Sequence, residues 1–417
     1  MRGKKCTIRT FSQTINQLCK YYNTPDVSLA FRCCVQDCIL QQVLFTKNKR
    51  RITPAQTLKI VTKHKKSTRT NTRLSIRLPR QAVDFLQDYY NAKSITETLH
   101  CCIHDVLEQV ALDCSLKGTD KVMYMVGQKN VGMQDFLNKS FDDIRSIYRI
   151  DGYAEPFCGT ANVLLHTTET DAEFLNDNSI DLVNLLRVIQ KYPYELRLNL
   201  LLTPLNKDIF DDYKKLLEQP FTLKAKKSEQ IARATMFYFC RYASVFGKGE
   251  SFKRKHSIDG FRRRLDTIYP LSLRLQGVDI KKRDALYFAG TLCEDAENFL
   301  IYFDAPYLCS EEHYKVNNRK RTAFSSHVAL RNRVTELRQK NICLLSYRIT
   351  ASDSMKKKGI EDADLQDILD KLYLNQGFWY KLKKFDNKKE QIEILISTVP
   401  FCGAKPYTTP MSEVEVM

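Results

Sequence analysis

The sequence predicts an α/β protein: a mainly parallel sheet domain split by a mainly helical insert, preceded by a small module built from two copies of a strand–helix–helix unit. Three observations carry this expectation. Residues 5–41 recur without a gap 68 positions later. The run Asn298-Phe299-Leu300-Ile301-Tyr302-Phe303 is continuously apolar after its first residue, as a strand buried on both faces of a parallel sheet must be. A turn bearing Gly159 is followed 18 residues later by Asp177, at the end of an expected second strand.

The duplication comes first in the chain. Ile8 and Arg9 match Ile76 and Arg77, Tyr21-Tyr22-Asn23 matches Tyr89-Tyr90-Asn91, and Cys33-Cys34 matches Cys101-Cys102. Matching of this kind at a fixed offset reads as an internal repeat. Each copy opens on an alternating segment. In the second, Leu74, Ile76 and Leu78 share one face and Arg73, Ser75 and Arg77 the other. Pro79 then opens a helix, with Val83, Leu86 and Tyr90 at helical spacing. Ser94 and Glu97 form an expected capping box for a second helix carrying Ile95, Leu99, Cys102, Ile103 and Val106. The first copy departs from this pattern with Phe11 in place of proline and Pro25 in its turn.

Charge distribution says what this module meets. The chain of 417 residues carries a net charge of +18. Residues 1–80 hold 18 Lys and Arg against Asp26 and Asp37 alone, which is +16 of that total. Concentrated positive charge points to a polyanion, nucleic acid ahead of a membrane surface. No stretch approaches the ~18 apolar residues of a membrane span, and the basic start lacks the apolar core of a secretory signal. A cytoplasmic protein is expected. The 14 cysteines form no CxxC pair and the seven histidines are scattered, so buried thiols rather than zinc are expected, with no metal site.

Strand, helix, turn and helix in about 40 residues resembles the ribbon-helix-helix family, in which two copies pair their strands and the ribbon enters the DNA major groove. The resemblance implies pairing within one polypeptide, with monomer and dimer both left open. It also implies DNA contact by Thr7 and Arg9 from one copy and Arg73, Ser75 and Arg77 from the other, with the basic linker 45–70 tracking phosphates. A helical dimerisation module without DNA contact is the alternative.

The remaining two-thirds carries the chemistry. Residues 146–150 are expected to form a strand that leads through Gly152-Tyr153-Ala154-Glu155-Pro156-Phe157-Cys158-Gly159 into a turn and helix. Ala172–Leu175 is a second strand, ending at Asn176-Asp177-Asn178, and Ser179–Ile189 a capped amphipathic helix. An acid about 20 residues after the glycine suits an adenosine ligand: glycine lets the backbone approach, and a carboxylate at the next strand end accepts ribose hydroxyls. The apolar strand at 299–303 ends in Asp304-Ala305-Pro306-Tyr307.

In this order the motifs resemble those of Dam-type DNA adenine N6-methyltransferases: EPFxGxG, then NDxNxDLxNLY, then (D/N)PPY. The resemblance covers about 121–402 and implies a Rossmann-like class I methyltransferase fold, S-adenosylmethionine as cofactor, double-stranded DNA as partner, and a flipped base. It implies a cofactor site of Gly127, Lys129, Glu155, Pro156, Phe157, Gly159, Asp177, Asp284 and Asp304, with Lys129 also near the target nucleotide. Catalysis is implied for Asp304, Ala305, Pro306 and Tyr307: Asp304 and the carbonyl of Ala305 take the two amine N–H groups, and Tyr307 stacks on the base. Arg241 and Lys248 fall in a segment similar to the family's DNA-recognition insert. The expected boundaries are 1–115 for the repeats (about 5–41 and 73–109), 121–190 with 275–402 for the methyltransferase, 191–274 for the insert and 403–417 for a tail.

Three positions depart from the pattern. Ala161 stands for the second glycine, Cys240 for asparagine, and Ala305 for the first proline of the catalytic motif. They motivate an alternative function, a DNA-binding regulator whose methyltransferase domain is inactive. An RNA-modifying enzyme is a third reading.

Overall fold

The computed structural model describes residues 4–11, 16, 18–19, 26–44, 71–78, 80–90, 92–99, 101–103, 122, 131–253, 260–261, 264–265, 267–306, 323–351, 353–357, 359–385 and 391–414. Two compact units emerge. One gathers residues 1–116 with 190–198 and 268–274; the other holds 117–189, 199–267 and 275–417.

In the first unit, strands β1 (Lys4–Phe11) and β2 (Asn71–Leu78) form an antiparallel two-stranded ribbon. Its register obeys the repeat. Thr7 pairs with Ser75, its own equivalent 68 positions on, while Arg9 pairs with Arg73 and Lys5 with Arg77. An approximate two-fold relation between the copies therefore passes through the Thr7–Ser75 pair. The core keeps the same symmetry. Leu18 and Leu86, Cys33 and Cys101, Cys34 and Cys102, and Val35 and Ile103 are all buried. Small thiols fill this centre as apolar groups. Helix Val27–Leu44 bears Cys33, Cys34 and Val35, and helix Arg80–Tyr90 bears Leu86. In the second copy a turn follows, in which Ser94 Oγ accepts the Glu97 N–H. Glu97 reaches back one residue further than a simple capping box, to the Lys93 N–H at 2.8 Å.

The second unit is built on an 8-stranded sheet: β3 (Gly152–Glu155), β4 (Ala172–Asn176), β5 (Asp279–Lys281), β6 (Phe299–Phe303), β7 (Ile342–Arg348), β8 (Trp379–Phe385), β9 (Gln391–Ser397) and β10 (Lys405–Pro406). Their spatial order is β10-β8-β9-β7-β6-β3-β4-β5. Strands β5, β4, β3, β6 and β7 run parallel; β9 is antiparallel to both β7 and β8. The chain leaves β3 toward β4 and β5, then returns to the other flank of β3 for β6 and β7. Strand order thus reverses between β3 and β6, and ligands of open α/β sheets bind beyond the carboxyl ends of the strands at such a point.

Sequence expectation and structure differ at the entry to β3. The strand expected at 146–150 is not one: helix Val131–Ile147 runs into that stretch, and the strand begins at Gly152. The helix expected after the glycine turn is only a single 3-10 turn, Leu164–His166. Gly152 supplies the reason for the start. It pairs with Phe299, and a Cβ there would lie 2.3 Å from the Phe299 ring, so only glycine brings β3 and β6 together at this level. The later expectations agree with the structure. All of β6 is buried, and the helix Ile180–Lys191 starts behind Ser179, whose Oγ accepts the Leu182 N–H at 3.4 Å.

One face of the sheet carries the helix Ala323–Leu337, whose His327 is buried beside Tyr347, with Nδ1 3.3 Å from the Tyr347 hydroxyl. Tyr347 in turn meets the Tyr373 hydroxyl at 2.8 Å. Burial pushes the His327 imidazole down to about 4. The folded protein therefore binds this proton less readily than the unfolded chain. Stability is complete above the ordinary histidine range and is lost as pH falls toward 4, by about 3 kcal/mol for a shift of this size. Urea unfolding of the parent and of His327→Asn at pH 7 and pH 4.5 is expected to show a smaller acid-induced loss in the variant; equal losses would refute the assignment.

Candidate active site

Four strand ends meet at the switch point. Glu155 closes β3 and is buried; its Oε1 accepts the Leu164 N–H at 2.7 Å and the Tyr153 hydroxyl at 3.0 Å. The carboxylate thereby ties down the loop that leaves β3. Pro156 is buried and Phe157 half-buried in that loop. At its tip Gly159 has φ +51°, and no atom lies within 4 Å of where a Cβ would stand. Two residues on, Ala161 has φ +57° and is fully buried. An alanine in this left-handed region costs about 1–2 kcal/mol. The loop holds it there: Ala161 donates its N–H to the Cys158 carbonyl at 2.7 Å and accepts from Leu165 at 3.0 Å. The departure from glycine leaves the backbone in the conformation that glycine favours.

Beyond β4, Asp177 faces this loop. Its Oδ2 accepts the Gly159 N–H at 3.1 Å and its Oδ1 the Ser179 N–H at 2.8 Å. Burial raises its pKa, and the N–H groups of Ser179, Gly159 and Asn178 work against that rise. Cys158, buried near Asp177 and Glu155, has its thiol pushed far up by burial and by those two charges, so it stays protonated.

Asn176 is the element that sequence reasoning passes over, reading it only as part of a motif. It is fully buried. Its amide nitrogen donates to the Pro156 carbonyl at 3.0 Å and the Arg283 carbonyl at 3.1 Å, and its amide oxygen accepts the Arg283 N–H at 2.9 Å. One side chain thus joins the exits of β3, β4 and β5. Asp284 follows directly as the N-cap of helix Ala285–Asp295, accepting the N–H groups of Leu286 and Tyr287. That cap gives it a structural duty beside any ligand contact.

On the other flank, Asp304 lies one residue past β6, partly exposed, with Ala305 buried and Pro306 half-buried behind it. Ser346 on β7 donates its hydroxyl to Asp304 Oδ1 at 3.1 Å, and Tyr302 meets the same Ser346 hydroxyl at 2.8 Å. Asp177 and Asp304 therefore sit directly after the strands flanking β3, at the same edge of the sheet. Gly127, Lys129 and Tyr307 lie outside the described residues, as does the whole linker 45–70. For Thr7, Arg9, Arg73, Ser75 and Arg77 the structure gives strand position and register only.

An ion pair joins two of the helices between β4 and β5. Arg233, on helix Lys227–Ala243, meets both carboxylate oxygens of Asp181 at 2.6 and 3.2 Å. The same guanidinium caps helix Lys207–Leu217 through the carbonyls of Leu216, Leu217 and Gln219. Arg241 supports a neighbouring loop instead of standing free. It donates to the Gly247 and Lys248 carbonyls at 3.1 and 2.9 Å, stacks 5.0 Å from the Phe237 ring, and has its pKa lowered by burial. Ser244 and Phe252 bridge the base of this loop, Lys248 is exposed, and Phe246 projects with φ +53° and 69% exposure.

Among the described residues no group of three or more His, Cys, Asp or Glu is placed to hold a metal ion, and no helix is long and apolar enough to cross a membrane. Arg233→Met leaves Asp181 and three helix-end carbonyls without their donor. A destabilisation of about 3 kcal/mol is expected in urea unfolding, with partial recovery in Arg233→Lys, which keeps the charge but not the fork. An Arg233→Met protein as stable as the parent would mean that this pair does not latch the insert.

A loop open to close approach at Gly159 and a carboxylate at the adjacent strand end fit the sugar and adenine of S-adenosylmethionine. No curated protein matches the chain. The family model for D12 class N6 adenine-specific DNA methyltransferase matches residues 134–369, more than half of the chain and the span that contains all four strand ends. Enzymes of this class use S-adenosylmethionine as methyl donor, and the mixed sheet of 8 strands fits a methyltransferase fold. The chain belongs to the D12 class N6 adenine-specific DNA methyltransferase family, an enzyme that methylates adenine N6 in DNA.

Proposed function

We propose that Asp304 and the Ala305 carbonyl are the acceptors that activate the adenine amine, that Asp177 and the Gly159 loop hold the donor, and that the duplicated unit is a second DNA-binding element. The observation that carries the first part is the placement of Asp304 and Asp177 directly after the two strands that flank β3.

An exocyclic amine is a weak nucleophile because its lone pair is spread into the ring. Asp304 accepts one N–H and the Ala305 carbonyl the other, which localises the lone pair on nitrogen and aims it. Any residue has a carbonyl, so alanine in place of proline retains that acceptor and loses only the ring's fixed φ. S-adenosylmethionine supplies an electrophilic methyl on a sulfonium. Asp177 takes a ribose hydroxyl; three loop N–H groups already draw on this carboxylate, and its roughly four acceptor sites leave room for one more. Glu155, Pro156 and Phe157 would shape the cofactor loop, and Asp284, at the exit of β5, would contact the adenine. Gly127, Lys129 and Tyr307 join the site on sequence grounds, Tyr307 as a stacking platform.

The target amine is buried in a duplex, so the base is extruded. The exposed Phe246, backed by Arg241 and beside Lys248, is an apolar wedge of the kind that enters a base step. Residues 191–274 accordingly read as the DNA-recognition insert. The ribbon of β1 and β2 suits a major groove: pairing puts Lys5, Thr7, Arg9, Arg73, Ser75 and Arg77 at register positions of one face. Two linked DNA-binding elements raise affinity without any change at the active site. Intramolecular pairing of the copies makes a monomer sufficient, acting wherever the cell keeps its DNA.

Asp304→Ala is expected to lower transfer of labelled methyl to DNA by about 10²–10³-fold, the scale of losing one preorganised polar contact at a reacting centre, with cofactor binding retained in calorimetry. Methylation equal to the parent's would end the assigned role. Replacing Arg9, Arg73 and Arg77 together by Ala is expected to weaken DNA binding and to flatten the dependence of log K on log salt by about 0.9 for each phosphate that is no longer neutralised. An unchanged salt slope and affinity would mean that the ribbon does not touch DNA.

A further inference from the structure

We propose that Ser346 is a positioning residue for methyl transfer, fixing the Asp304 carboxylate where this chain lacks the proline that would stiffen the following turn. The proposal rests on the reading of Asp304 as the amine's acceptor.

Strand register creates the arrangement. Phe303 pairs with Leu345 in the parallel β6–β7 ladder, so the next residues, Asp304 and Ser346, lie side by side. Tyr302 is two residues before Asp304 and shares its face of the sheet. The three side chains form a line: Tyr302 to Ser346 at 2.8 Å, Ser346 to Asp304 Oδ1 at 3.1 Å. Tyr302 and Ser346 are buried, whereas Asp304 is partly exposed at the strand end. The line therefore runs from a fixed interior anchor to the group that meets the substrate.

Proton inventory sets its direction. An ionised carboxylate has no proton to give, so the Ser346 O–H donates to Asp304 Oδ1. The Ser346 oxygen then accepts from the Tyr302 O–H. Both hydroxyls are oriented the same way, and the carboxylate gains a charge-assisted hydrogen bond that restricts its rotation.

Residue 305 explains why this restraint matters here. Proline fixes its own φ near −65° and biases the residue before it toward extended backbone. Ala305 does neither. Its methyl is buried in the core and Pro306 biases residue 305 toward extended backbone, but no ring fixes φ at 305 or biases Asp304 itself. Misplacement by about 1 Å costs on the order of a hundredfold in rate, so a hydrogen bond that removes part of that freedom acts on kcat and not on substrate affinity.

The test is steady-state methyl transfer by the full chain, with KM for S-adenosylmethionine and for DNA measured separately. Ser346→Ala is expected to lower kcat about tenfold with both KM values within about twofold. Ser346→Thr, which keeps the hydroxyl, restores most of the rate, and Tyr302→Phe lowers it in the same direction by less. In an Ala305→Pro background the penalty for Ser346→Ala shrinks to below about threefold, a coupling that a double-mutant cycle reads directly. Circular dichroism and thermal midpoints check that each variant folds; if the proline variant does not, the Ala, Thr and Phe series still decides. An unchanged kcat in Ser346→Ala, a rise in KM instead, or an equal penalty in both backgrounds overturns the proposal. Asp304→Ala in the same series separates the two levels. Parental activity there would overturn the acceptor reading itself, while its loss together with a fully active Ser346→Ala would overturn positioning alone.

Discussion

The buried amide of Asn176 is the constraint on which the rest of the site depends. It commits both donors and its acceptor to backbone groups of two other loops: the Pro156 carbonyl and the carbonyl and N–H of Arg283. Its own backbone carbonyl also receives the Cys158 N–H. Each such bond nets only about 1 kcal/mol, but each buried group left unsatisfied costs about 1–3 kcal/mol. The exits of β3, β4 and β5 are therefore coupled. Gly159 can approach Asp177, and Asp284 can start its helix, because Asn176 sets where all three loops begin.

Charge is handled in the same manner across the second unit. Carboxylates at the strand ends accept backbone N–H groups: Glu155 that of Leu164, Asp177 those of Gly159 and Ser179. The buried guanidinium of Arg233 is divided between Asp181 and a helix end. Such pairs contribute modest net stability, because desolvation offsets much of the attraction. Their effect is geometric. The Asp181–Arg233 pair ties the helix after Asp177 to the helix before the Phe246 loop.

The first unit solves a different problem. A single short strand with unpaired edges is marginal in water, and neither repeat alone supplies a partner. Duplication does: β1 and β2 pair about the Thr7–Ser75 position, and equivalent small or apolar residues from both copies close the core. Cysteine serves there as a compact apolar filler, which is why clustered thiols need not signal a metal or a disulfide.

Much of this was legible in the sequence. The repeat offset, the apolar run at 299–303, the acid 18 residues after Gly159 and the order of the three motifs pointed to the α/β class and the family, because periodicity and spacing are local properties that survive without coordinates. What failed was also local in appearance. Residues 146–147 finish a helix rather than start a strand, since the start of β3 is decided by the contact of Gly152 with Phe299, a residue far along the chain. The motif that contains Arg241 does not show that its guanidinium is folded onto the Gly247 and Lys248 carbonyls. Chain order alone determined which residues this protein has for its chemistry. Only tertiary structure decided that Asn176 joins three loops, that Ser346 lies against Asp304, and that Thr7 pairs with Ser75, because each depends on strand order and register, which bring together residues that no sequence window contains.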